Sequence, residues 1–386
     1  MSRPLTVLQV AAMPFPSQQG SQVYVAGLCG ALAAAGHRVL LACYHHGVGP
    51  VPTGVELRRA RRVPGGDFTR SSLHWSRPLQ DLSLARVVAR TLRQERVDVI
   101  HAHNVEAPVA GWLGRATAGS TAPLIYNLHT LMGEELGAYL PAALSRPARA
   151  LGGALDALLP RLSQASVAIS ARSEQALRAR AAGRVLHLPP VLDQAARVRG
   201  DAVRARVRWG LGDRPWVVYT GNTDAYQDLD ALIGAVARSE VLRLLVVSGS
   251  PEGPWRALAR SLGLEDGRLR WVRSAEFSDT RDALAAATVG AIPRRVCAGF
   301  PIKLLNHLGA GLPTVIAEGS AQQVGGQLVV PGGDEVAMAH ALERVIADHA
   351  LRSRLREEAL RSADALSWEG ALPALLGLYR GLGAGR

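Results

Sequence analysis

The sequence predicts an α/β protein made of two doubly wound halves, and three observations carry that reading. Short, near-continuous apolar runs recur between segments of helical spacing, as strands covered on both faces of a parallel sheet require. The series runs twice, broken in the stretch "LPPVLDQAARVRGDAVRARVRWG", where a proline pair closes one set and "PWVVYTGN" opens the next. The chain has 386 residues and is 48% hydrophobic, enough for two buried cores.

In order along the first half, the strand-like runs are "LTVLQVAA", "RVLLACY", "DVIHAH", "LIYNLH" and "SVAIS". The second half has "WVVYTGN", "LRLLVVSG", "LRWVRS", "VGAIP" and "PTVIA". Between the first two runs, "VYVAGLCGALAAAGH" (23–37) has helical spacing with Gly36 as its stop. The boundary falls near residue 195. In doubly wound sheets ligands bind beyond the carboxyl ends of the strands. That rule singles out five polar segments at strand exits: "PFPSQQGSQ", "HAHNVE", "HTLMGEE", "TGNTDAYQD" and "CAGFPIKLL".

The net charge is +12, and residues 1–200 hold 22 basic against 11 acidic side chains. The densest run is "RRARR", with Arg58, Arg59, Arg61 and Arg62. Such a field attracts polyanions. Aromatic residues make up 5% of the chain and none is interleaved with the arginines, which argues against nucleic acid. The expected partner is an anionic membrane surface, the competing reading being a plain solvated basic face. No apolar run approaches the roughly 20 residues of a bilayer span. Cys29, Cys43 and Cys297 are odd in number and lack metal-ligand spacing. A cytoplasmic protein is expected, soluble or peripheral at the inner membrane face.

Lys303 is the only lysine, among 43 arginines. It sits in "GFPIKLLNHLGAGLP", in the first turn of a short helical pattern. A cation there opposes the helix macrodipole unless an anion lies between, and a phosphate would resolve that conflict. Arg294 and Arg295 stand just upstream, as supplementary cations or solvated side chains. Asp228 and Asp230 read as helix-start residues rather than metal ligands. Gly20, after the first strand, either lets backbone approach a phosphate or serves a plain turn. His103 and His129 end strands at the expected site; Glu134 and Glu135 either bind an acceptor hydroxyl or begin a helix. His45 and His46 are expected on an exposed loop and are not taken as metal ligands. The stretch 137–162, apolar with interspersed arginines, packs on the first domain or lines an entrance at a membrane face.

The order of these segments resembles the GT-B-fold glycosyltransferases of retaining family 4, over nearly the whole chain. "PFPSQQGSQVYVAGLCGALAAAGHRV" resembles the family's glycine-bearing loop and first helix; "DVIHAHN" and "LIYNLHTLMGEEL" resemble its acceptor-side strands. "VVYTGNTDAYQDLDALIGAV", "GFPIKLLNHLGAGLPTVIA" and "SWEGALPALLGLY" resemble its donor domain, donor-binding segment and returning C-terminal helix. The resemblance implies two Rossmann-like domains facing across a cleft: residues 1–195 on the acceptor side, 196–365 on the donor side, and a helix over 366–386 crossing back. It implies a nucleoside-diphosphate sugar donor, retention of configuration, and no metal or other cofactor. His129 aligns with a histidine used near the transferred sugar, and Gly221, Asn222, Gln227, Lys303 and Asn306 fall in the donor-binding segments. His103, Glu134 and Glu135 fall on the acceptor side.

The departures matter equally. Two glutamates common in the family read Ala298 and Asn306 here, and two donor-loop cations read Asn222 and Gln227. Lys303 matches the lysine of a "G-x-P-x-K-L" version of the segment, and would provide the charge that the loop lacks. An inactive binding relative and a sugar-nucleotide epimerase remain as alternatives; the second lacks the cleft carboxylates it would need.

Overall fold

The computed structural model describes residues 3–17, 20–67, 74–136, 142–180, 183–192, 199–264, 266–274, 276–294, 301–321 and 323–383. The chain divides into two compact units. One comprises Met1–Val191 and Trp368–Arg386, the other Leu192–Cys297 and Pro301–Ser367.

The first unit carries strands β1 (Thr6–Ala11), β2 (Arg38–Cys43), β3 (Val55–Arg59), β4 (Val99–His103), β5 (Leu124–Leu128), β6 (Ala165–Ala168) and β7 (Arg184–His187). They form one parallel sheet in the order β3-β2-β1-β4-β5-β6-β7. Its helices are α1 (Gly20–Ala34), α2 (Arg77–Gln94), α3 (Glu106–Ala118), α4 (Met132–Glu135), α5 (Ala142–Leu158) and α6 (Ala171–Arg180), with a C-terminal helix, Trp368–Gly381, packed against α1. Gly36 stops α1 in left-handed geometry, φ +84°.

Strand alternation sorts the residues of this sheet onto two faces. Leu8, Val10, Ile100, Ala102 and Leu124 join Leu84 and Val88 of α2 and Ala107 and Ala110 of α3 in one core. Tyr126 is in register with Ala102, and with Leu128 it meets Leu159 of the 3-10 turn that follows α5. Helices α2, α3 and α5 therefore share one side of the sheet. Gln9, His101, His103 and Asn127 alternate onto the other, toward α1 and the C-terminal helix.

The basic run does not stand free. Arg58 lies on edge strand β3 and pairs with Glu56 at 2.9 Å and Glu95 at 3.3 Å. Arg62 pairs with Asp67 at 2.5 Å. Two of the run's four arginines are thus ion-paired.

The second unit repeats the plan with β8 (Val217–Thr220), β9 (Leu244–Ser248), β10 (Leu269–Arg273), β11 (Val289–Ile292), β12 (Thr314–Ala317) and β13 (Gln327–Val330), all parallel, in the order β10-β9-β8-β11-β12-β13. Its helices are α7 (Ala202–Trp209), α8 (Leu229–Ala237), α9 (Gly253–Ser261), α10 (Phe277–Ala286), α11 (Ile302–Gly309), α12 (Glu335–Ala347) and α13 (His349–Ala365). Val217 and Tyr219 pack toward α8 and α12, and Val218 toward α7 and α10. Both faces of the sheet are thus covered, as its near-continuous apolar strands require. Asp228 occupies the cap position before α8 at φ +51°, but its carboxylate makes no cap hydrogen bond. Asp230 falls in the first turn.

Candidate functional site

Two polar groups stand at strand exits, one in each unit. In the second unit, α11 carries Lys303 in its first turn. The stem swings the ammonium to the exit of β8. There Nζ donates to Gln227 Oε1 at 2.8 Å and to the Tyr219 hydroxyl at 3.1 Å, and lies 4.2 Å from the centroid of the Tyr219 ring. A compact ammonium can serve an amide oxygen and a ring face together, which a planar guanidinium fork would fit poorly. These contacts also answer the macrodipole conflict without an anion, since the charge is drawn off the helix end.

Gly221 follows β8 at φ +112°, a backbone that side chains rarely adopt. A Cβ there would lie 3.6 Å from Lys303 Nζ, so glycine keeps the approach to the ammonium open. The Tyr219 hydroxyl donates to the backbone oxygen of Asn222 at 2.5 Å. Burial raises its pKa, with the nearby Arg294 acting in opposition. Arg294 is buried and donates to Ser320 O at 3.3 Å. Gly221, Gln227 and Lys303 are therefore brought together, with Arg294 within electrostatic reach. Asn222 turns its amide to Asp224 and Tyr226 instead. Asn306 lines a separate hollow with Arg281, Ala310 and Arg356. Arg295 and Ala298 lie outside the described residues.

In the first unit, the expected His129 and His103 meet. His129 Nε2 lies 3.2 Å from His103 Nδ1, and His103 Nε2 lies 2.7 Å from Gln9 Oε1. An amide oxygen only accepts, so His103 donates from Nε2 and accepts at Nδ1. His129 then donates from Nε2 and keeps Nδ1 as its acceptor. His101 stacks on His103 with centroids 4.7 Å apart, and its Nδ1 lies 2.6 Å from the Tyr379 hydroxyl of the C-terminal helix. Tyr24 of α1 meets His129 edge-on at 5.0 Å and accepts from Asn127 Nδ2 at 3.1 Å.

All three rings are buried. Burial holds His129 near pKa 3; burial and then His129 hold His101 near 3; burial and both neighbours push His103 well below its ordinary value. At neutral pH the three imidazoles are uncharged. The sequence places His103 facing an acceptor, whereas the structure buries it fully with both nitrogens engaged, one by His129 and one by Gln9. Sequence reasoning passed over Gln9, Tyr24, Asn127 and Tyr379, and gave His101 no role. The alternation in "VIHAH" was the available signal, because it puts two polar rings on one face of a buried strand.

Glu134 and Glu135 lie on the four-residue α4, where Glu134 pairs with Arg172 at 2.5 Å. Gly20 opens α1. His45 and His46 are half-buried rather than exposed. With Asp67 they offer ligand atoms within 4.8 Å of one another, but Asp67 is already bound by Arg62 and by His45 Nε2 at 2.8 Å.

Two parallel Rossmann-like units, each with a polar group at its strand exits, define the GT-B class of protein. Residues 19–190 match the family model described as a glycosyl transferase 4-like domain, and 214–348 match glycosyl transferases group 1. The chain is 28% identical over 396 residues to a D-inositol 3-phosphate glycosyltransferase of Xylanimonas cellulosilytica, covering 93% of this chain and 91% of that one. A protein of the same name from Stackebrandtia nassauensis is 29% identical over 318 residues, 73% of this chain and 68% of that one. Among solved structures, the sucrose-phosphate synthase of Thermosynechococcus elongatus superposes with TM-score 0.83 at 20% identity, over 99% of this chain and 100% of that one. HepE of Anabaena, in complex with UDP and glucose, gives 0.74 at 16% identity, over 98% and 100%. The chain belongs to the group 1 glycosyltransferases of GT-B fold and is a glycosyltransferase.

Proposed function

We propose that the protein transfers a sugar from a nucleoside-diphosphate sugar to a hydroxyl acceptor, with retention of configuration and without a metal. One observation carries the donor assignment. The family's second donor-loop cation falls at Gln227 here, and Lys303 Nζ sits 2.8 Å from Gln227 Oε1. The charge absent from the loop is thus supplied from α11, at nearly the same place. A fixed cation beside an open glycine backbone can stabilise a departing diphosphate. The fold neighbour solved with UDP and glucose supports the same donor class.

His129 would stand by the transferred sugar as a neutral imidazole, with a defined proton on Nε2. Glu134 and Glu135 belong to the acceptor side. The acceptor we favour is a glycan or lipid held at an anionic membrane surface facing the cytoplasm; a soluble inositol phosphate is the alternative that the relatives' names supply.

The test is transfer of isotopically labelled sugar from a panel of nucleoside-diphosphate sugars, with chelator present, and proton NMR of the product's anomeric centre. Chelator-insensitive transfer with retention supports the proposal. Inversion, or strict dependence on added divalent metal, would sink it.

A further inference from the structure

In the second unit α7 packs beside α10, and both acidic side chains of α10 are spent on that contact. Asp282 accepts from Arg204 at 2.6 Å, and Asp279 accepts from Arg208 at 2.6 Å. Next to these pairs, a hollow of about 210 Å³ opens between α10, α11, α13 and the segment leading into α7. Arg199, Arg281 and Arg356 line it, and among the described residues no carboxylate does.

Unlike Arg204 and Arg208, these three arginines have no ion pair among the described residues. The Arg281 guanidinium lies over the Phe277 ring, 5.8 Å from its centroid, and its buried Nε makes no hydrogen bond. Arg356 donates to the Gly311 carbonyl at 3.5 Å, and Arg199 is exposed. Like charges gathered around a concave surface repel one another unless an anion joins them. Leu284, Ala310 and Leu312 make the lining apolar between the arginines, and Asn306 adds one uncharged amide.

We infer that this hollow binds a small phosphate monoester, with the phosphate among the three guanidinium groups and a short organic body against Phe277 and Leu284. A guanidinium fork matches phosphate oxygens in pairs and stays charged throughout the physiological pH range. The Asn306 amide can meet a hydroxyl of the organic body. The volume is below the roughly 300 Å³ at which sites for drug-sized ligands begin, so a nucleotide sugar is too large. The hollow is also apart from the donor site. Ala287 and Leu312, in its lining, stand just before β11 and β12 at the entry ends of those strands, whereas Lys303 reaches the exit of β8. The inference therefore rests on none of the donor chemistry.

The experiment is isothermal titration of the full chain, without nucleotide, with glycerol 3-phosphate, inorganic phosphate, succinate and glycerol in turn. Wild type should bind glycerol 3-phosphate most tightly and glycerol not at all. Arg281→Gln and Arg356→Gln should each weaken that binding roughly 10- to 150-fold, as loss of a charge-assisted contact does. Ala285→Glu, which sets a carboxylate in the lining, should weaken it as well. Lys303→Met should bind like wild type. Circular dichroism of each variant confirms the fold, and Ala285 and Arg356 are exposed, so those two variants report even if Arg281→Gln disturbs packing. Succinate bound as tightly as glycerol 3-phosphate would make this a carboxylate site, and inorganic phosphate bound as tightly would leave the organic body without a role; either overturns the inference. Binding that Lys303→Met loses and the arginine variants keep, or no binding of any of the four, would overturn it too.

Discussion

Acidification should unfold the first unit before the second, and the buried histidines set the size of the effect. His101 and His129 are held near pKa 3 in the folded chain, against about 6.5 when unfolded. A group whose folded pKa is depressed contributes no penalty above its unfolded pKa. As pH falls from 6.5 toward 3, the unfolded chain takes up a proton that the folded chain refuses, and stability drops by about 1.4 kcal/mol per pH unit for each ring. Between pH 7 and 4.5 these two rings remove about 5 kcal/mol from the first unit. His103, His37 and His46, all depressed chiefly by burial, act in the same direction. Asp81 opposes them: burial raises it to about 6, so it returns about 2 kcal/mol over that range. The second unit has one comparable ring, His307, near 3 through burial and the adjacent Lys303, and loses about 2.5 kcal/mol. Urea denaturation at pH 7 and 4.5 measures the total loss, and amide hydrogen exchange assigns it. Protection should fall first in β1, β4 and β5. Flat stability from pH 7 to 5, or earlier loss in β8 and β11, would refute the reasoning.

Further outcomes follow from single contacts. Tyr379→Phe removes the hydroxyl on His101 Nδ1, whose partner atom Nε2 already lacks a hydrogen bond, and should cost about 1–3 kcal/mol in urea midpoint at unchanged slope. Gly221→Ala forces a side chain into φ +112° and should cost about 1–3 kcal/mol by thermal melting; a neutral result would contradict the described backbone. His129→Ala should lower turnover of the labelled sugar, because it removes the Nδ1 acceptor that the His103 contact leaves free, and unchanged turnover would count against its place beside the sugar. His103→Phe should give a smaller loss by freeing the His129 ring, and nitrogen-15 shifts of His129 should show the Nε2–H tautomer in wild type and its loss in that variant.

The sequence was most legible where burial is greatest. Ten strands buried in the sheets announced themselves as apolar runs, whereas β3, β7 and β13 did not. "VELRR", "RVLH" and "QLVV" lie at sheet edges, are only partly covered, and carry polar or charged residues that blur the signal. From "RRARR" the partners of its arginines could not be read: Glu56 and Glu95 pair with Arg58, and Asp67 with Arg62. Lys303 stood out by composition, but its partners Tyr219 and Gln227 are 84 and 76 residues away, and no spacing rule reaches that far. The histidine group was half legible. His129 drew attention through resemblance, while the roles of Gln9 and Tyr379 appear only once alternation and the returning helix bring them together.

The central claim is that Lys303 holds the donor diphosphate, and the most direct test is isothermal titration of nucleoside diphosphates into wild type and Lys303→Met. A charge-assisted contact contributes about 1.5–3 kcal/mol, so the variant should bind the preferred diphosphate roughly 10- to 150-fold more weakly, with unchanged affinity for the parent nucleoside. Equal affinity of both proteins for the diphosphate would contradict the claim and leave Lys303 as a structural partner of Tyr219 and Gln227.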